Sequence, residues 1–210
     1  MFYEKQIIKW EGRDLKTRKE DYECQLKADE IRKGYMEWAR TYTKMASALV
    51  LEFGEEIVLD TLEEAWWNLQ YEGGKTWRED FDKNPSDAIK MFYDKWHTDC
   101  QGCTGSVYTV EITGSCWDIM VFNCFHQAVA LELDAIGGRK IGIGWCMGDI
   151  AAVRGWCNNT VMDFPVMALR GDSYCWQIRR IVDNPAGYQD KWTKEISKKC
   201  GWRSIKELEG

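Results

Sequence analysis

Apolar positions along the first half of the chain recur at helical spacing. From about Glu20 to Phe53, the residues Leu26, Tyr35, Trp38, Tyr42, Met45, Leu49 and Phe53 mark one stripe of a long helix. Gly54 is its natural stop, and Gly34 is a candidate break within it. The run "EEIVLDTLEEAWWNLQYEGG" predicts a second helix, with Ile57, Leu62, Ala65, Trp66 and Leu69 on one side and Gly73-Gly74 at its end. A third opens at "NPSDAIKMFYDKW", where Asn84 is placed to cap and Pro85 to occupy the first helical position.

Near residue 105 the period changes. In "SVYTVEITG", Tyr108, Val110 and Ile112 alternate with Thr109, Glu111 and Thr113, the period of a half-buried strand. "CWDIMVFNCFHQAVALELDAIGG" reads as one helix closed by Gly137-Gly138, and another helix is expected from Gly144 to about Arg154. "VMDFPVMALRGDSYCWQIRRI" reads as two strands around a Gly171-Asp172 turn, with Pro165 marking an edge or a bulge. A loop and a short amphipathic helix follow from Asn184. The pattern predicts an α+β protein: a helical N-terminal half, then an antiparallel sheet flanked by helices with a C-terminal β-hairpin. We expect a single domain over 1–210, with a mainly helical part to 104, a strand-helix-helix-hairpin core over 105–182 and a tail over 183–210.

Composition agrees with one domain. The 210 residues are 45% apolar and 30% charged, enough apolar content for a real core. A net charge of −6, with Lys and Arg spread along the chain, argues against nucleic acid as a partner. The charged opening "MFYEKQIIKWEGRD" has no signal-like apolar run, and Met45–Phe53 is too short to span a bilayer, so we expect a cytoplasmic chain with no membrane partner. Its nine cysteines are then expected as reduced thiols, and an odd number excludes full internal pairing. Twelve tryptophans suit a core and, secondarily, an aromatic-lined pocket for a small molecule. A homo-oligomer is compatible with all of this.

Candidate chemistry centres on "GWCMGDIAAVRGW". Cys146 and Asp149, three apart, share a helix face. If that helix starts near Gly144, Cys146 lies in its first turn, where the dipole favours a thiolate. Asp149 opposes thiolate formation unless it serves as a proton acceptor. The alternative is a packed small hydrophobe beside a surface or capping carboxylate. His126, with Asn123 at i−3, adds a Cys-His-Asn set of the kind thiol hydrolases assemble in space, or else is a satisfied core histidine. "HTDCQGC" places His97, Cys100 and Cys103 at metal-ligand spacing, with Cys116 as a fourth candidate for zinc; otherwise it is a loop with thiols and there is no cofactor. "GRKIGIG" lacks the full dinucleotide fingerprint. Any of Arg154, Arg170, Arg179 and Arg180 could grip a substrate carboxylate, most of them being structural.

Short motifs in order, "GSCWDIM", "WCMGD", "CNNT" and "ALRGDSYCWQI", make residues 30–182 resemble the L-2-amino-thiazoline-4-carboxylic acid hydrolase family. Two features depart from it: no proline follows Cys116, and "HTDCQGC" is extra. The resemblance implies hydrolytic opening of a C–N bond in a small, cyclic, carboxylated substrate. Cys116, Cys146, Asp149, Gly171, Asp172 and Cys175 fall on its motif positions. In that reading Cys146 attacks, Asp149 or His126 moves the proton, Asn123 or Asn159 orients the substrate, and an arginine such as Arg154 anchors it. The layout is also distantly similar to vinyl-reductase-type ligand-binding domains, which bind small molecules. The reading from another class is accordingly a small-molecule or metal-binding sensor module without turnover. A third is a metal-assisted hydrolase with Cys146 and His126 as ligands.

Overall fold

A computed structural model of the protein describes residues 7–10, 13–16, 18–78, 85–99 and 106–183. The tail from Asn184, the cap Asn84, Cys100, Cys103 and the side chain of His97 lie outside the described residues.

The architecture is α+β. A short hairpin, β1 (Ile7–Trp10) with β2 (Arg13–Lys16), precedes the long helix α1 (Lys19–Phe53) and α2 (Glu55–Lys75). A 3-10 turn at Pro85–Asp87 leads into α3 (Ala88–Asp99). Strands β3 (Ser106–Ile112) and β4 (Cys116–Phe122) come next, then α4 (Phe125–Glu132) and α5 (Gly138–Trp156). Finally β5 (Thr160–Val166) and β6 (Cys175–Ile181) complete a four-stranded antiparallel sheet of order β3-β4-β6-β5.

Gly54 separates the first two helices as expected, at φ 90, its N–H donating to the Val50 carbonyl. Their apolar stripes behave differently from the expectation. Tyr35, Trp38, Met45, Leu49 and Phe53 are exposed, as are Ile57 and Leu69. The buried face of α1 is instead Ala39, Thr43 and Ala46, at i, i+4 and i+7. Small residues let this helix approach closely, which leaves the large ones flanking the contact. On α2 the buried side chains include Val58, Leu59, Glu63 and Trp67. Glycines set the approach of α2 to α5: a Cβ on Gly155 would stand 2.0 Å from the Tyr71 carbonyl oxygen, and one on Gly74 2.1 Å from that of Ala152.

The run from Cys116 is a strand, which corrects the helix expected there. Trp117, Ile119 and Val121 face the helices, while Met120 and Phe122 pack on the other side with Tyr108, Tyr174 and Trp176. A strand covered on both faces reads as a continuous apolar run, so its period is hidden. Asn123 then turns at φ 54 and α4 begins only at Phe125. The start of α5 is also corrected. Gly138 and Gly142 lie inside this helix, pressed against Ala130 of α4, so they are packing positions and not a break. In β3 the inward residues are Val107 and Thr109, the reverse of the expected phase. Thr109 is tolerated inside because Asp21 accepts from its N–H and its hydroxyl. The β5–β6 pairing is as expected: β5 is an edge strand, and its register shifts between Asp163 and Val166, around Pro165.

Candidate functional site

Helices α3 and α5 pack on the sheet, and a polar group is enclosed there. On β6, alternation sends Cys175, Gln177 and Arg179 inward. Arg179 is only 4% exposed and sits on the ring of Trp117, 4.7 Å from its centroid. Its Nη2 donates to Gln177 Oε1 at 3.0 Å. Among the described residues its Nε and Nη1 have no hydrogen-bond partner. Burial brings the guanidinium down to about 10, against the pull of Asp149; it remains charged.

Asp149 enters from α5. The residue is exposed, and desolvation by the surrounding protein raises the pKa of its carboxyl to about 6, with Arg179 pulling the other way. Asp149 and Arg179 attract each other electrostatically, but among the described residues they form no direct ion pair.

Thiols and aromatic rings pack in the same core. Cys175 is buried, and its sulfur accepts from the Ala168 N–H at 3.3 Å. Burial first, then Cys124 and Asp149, push its thiol up to about 12, so it stays protonated. Cys146 is partly buried against the same core. His126 on α4 stacks on Trp145 at 4.9 Å, and burial holds its imidazole down at about 4, neutral near pH 7. Phe92 and Trp96 of α3 close the side around Trp117.

The structure therefore brings some expected residues together and separates others. Cys146 and Asp149 do share a face of α5. With the helix starting at Gly138, however, Cys146 is in its third turn, beyond the reach of the N-terminal dipole. His126 lies against Trp145, which packs with Ala39 and Val129 beside α1, whereas Asn123 precedes the helix, exposed in its turn, with its carbonyl oxygen accepting from Arg32. Asn159 is exposed in the α5–β5 turn. Arg154 lies in the last turn of α5, five residues and about 140° around the helix from Asp149.

Cys116 pairs with Arg180 in register on the sheet face opposite Trp117 and Arg179, and burial with Glu111 and Asp118 raises its pKa. Among the described residues no three His, Cys, Asp or Glu side chains gather as a metal site. The sequence grouped Arg179 with three other arginines without singling it out. Its signal was available in "QIRRI": consecutive residues of a strand face opposite ways, so one arginine must point inward.

No protein-family model and no curated protein matches the chain. Two solved structures are similar in part. The phenol-responsive sensory domain of the transcription activator PoxR, with phenol, is 11% identical at a TM-score of 0.48, covering 76% of this chain and 80% of its own. A trafficking protein particle complex subunit 3 from Naegleria fowleri, covalently bound to palmitic acid, is 10% identical at 0.41, covering 73% and 98%. At these values neither likeness bears on what this chain does.

Proposed function

We propose that the chain is a small-molecule-binding domain whose ligand is held at Arg179 on the inner face of the sheet, its anionic head on the guanidinium and its apolar body among the neighbouring aromatic side chains. One observation carries this: a guanidinium only 4% exposed whose Nε and Nη1 lack a hydrogen-bond partner among the described residues. Burying a charge without full hydrogen bonding costs several kcal/mol, and an oxyanion is the ligand chemistry that supplies the missing acceptors.

Calorimetric titration with benzoate, an aromatic monoanion, tests the proposal. Saturable binding is expected in the wild type, weakened roughly a hundredfold or more in Arg179→Met. Equal affinity in the two proteins would overturn it.

Turnover by Cys146 is the second reading, favoured by the face it shares with Asp149. Incubation with 2-amino-thiazoline-4-carboxylate should then consume the compound, with the rate abolished in Cys146→Ala. Full activity in that variant excludes the mechanism.

A further inference from the structure

We propose that the outer stripe of α1 is a self-complementary seam on which a second copy of this chain docks, helix against helix, to form a two-fold dimer. The surface is separate from Arg179 and concerns assembly, beyond the binding reading above.

Ile31, Tyr35, Trp38, Tyr42, Met45 and Leu49 follow one another at alternating steps of four and three residues. That is the 3.5-residue repeat by which one helix keeps an apolar seam toward another, and Phe53 prolongs it by one turn. Tyr42 is half-buried, its ring against Trp145, but the other five and Phe53 are between 41% and 62% exposed. The chain's own packing takes the adjoining face of the helix, Ala39, Thr43 and Ala46. Trp66 of α2 joins the seam, its ring centroid 5.9 Å from that of Trp38, and Leu69, one turn on, is exposed.

Area, margins and length select the occupant. The seam offers roughly 600–700 Å² per chain, above the largest patch of an ordinary monomer and close to the roughly 800 Å² per partner of a standard interface. Its margins carry no charge: Gly34, Thr41 and Ala48, seven apart, run along one side, and Ala39 and Ala46 along the other. Small margins let a second helix come close. A lipid surface calls for lysines and arginines there, whereas Lys33, Glu37 and Lys44 stand on the opposite side of α1. From Ile31 to Phe53 the seam runs about 33 Å along the axis, and a partner must match that length and period. α1 itself does, and a two-fold contact sets the same stripe on both chains.

Sedimentation velocity of the full chain from about 1 to about 100 μM tests this, since interfaces of this size dissociate in the micromolar range at their weakest. A dimer is expected at the upper end. Met45→Glu/Leu49→Glu sets like charges together across the seam and should weaken the dimer at least about a hundredfold, leaving a monomer. Both positions are exposed, so this variant should keep the wild-type helix content by circular dichroism. Leu51→Glu, on the opposite side of the same helix and 87% exposed, should dimerise as the wild type does. If the double variant does not fold, hydroxyl-radical footprinting of the wild type replaces it: Met45 should be oxidised several-fold more slowly at about 100 μM than at about 1 μM. A wild type that is monomeric throughout overturns the proposal and gives the seam to the segment from Asn184 or to another protein. A dimer that survives Met45→Glu/Leu49→Glu, or is lost equally in Leu51→Glu, overturns it as well.

Discussion

Arg179 and Arg180 are neighbours on one strand and live in different electrostatic regimes. Arg180 faces away from the helices and pairs with Asp163, a carboxyl that is itself buried. Arg179 faces the helices, rests on Trp117 and keeps two nitrogens without acceptors. On the outer face Asp118 accepts from the Trp176 indole at 2.7 Å, with aromatic side chains packed around it. On the inner face Thr109 is bonded to Asp21, so the difference lies in the two arginines' own partners: a buried carboxylate for Arg180 and one amide oxygen for Arg179.

The contrast can be broken most severely at Trp117, which is fully buried and supports the inner face. Trp117→Ala should cost about 3–5 kcal/mol of unfolding free energy, read from the urea midpoint. Arg180→Ala leaves the buried Asp163 acceptor without this donor and should cost about 1–3 kcal/mol. Arg179→Met, one residue earlier, should cost nothing measurable or even stabilise, because an apolar side chain there removes a poorly satisfied buried charge. Comparable losses in the two arginine variants would erase the distinction between the faces.

The pH dependence of stability sharpens the picture on the helix side. Glu63 and Asp149 hold their protons more tightly folded than unfolded. Between the two pKa values the unfolded chain binds fewer protons, so stability falls as pH rises, from about 4.5 to about 7 for Glu63 and from about 3.8 to about 6 for Asp149. Chemical unfolding across this range should show the decline for the wild type. Glu63→Gln should remove the upper part and Asp149→Asn the lower. An unchanged slope in either variant contradicts that carboxyl's placement.

Much of the fold was legible because it depends on local signals. Gly54 ended the first helix, Pro165 marked the edge strand and its register shift, and the β5–β6 pairing followed from its turn. What misled were positions whose burial is decided by a distant partner. Trp117, Ile119 and Val121 looked helical because both sides of β4 are covered. Gly138 was expected to close a helix, though it lies inside α5 and lets α4 approach it. The long α1 stripe looked like core, and the true contact runs through Ala39, Thr43 and Ala46.

At the site, the spacing of Cys146 and Asp149 did place them on one face, but the helix start that would have activated Cys146 was wrong by two turns. Arg179 was recognisable only as one of a pair of adjacent arginines. Which of the two points inward depends on where the helices lie.

The central claim is that the open nitrogens of Arg179 are reserved for an anion. Its side-chain Nε–H resonance reads that claim directly, assigned by its loss in Arg179→Met and followed during a benzoate titration at about pH 6. The account predicts a saturable downfield shift tracking the calorimetric binding curve. A resonance that stays in place while benzoate binds would put the anion elsewhere and contradict the account.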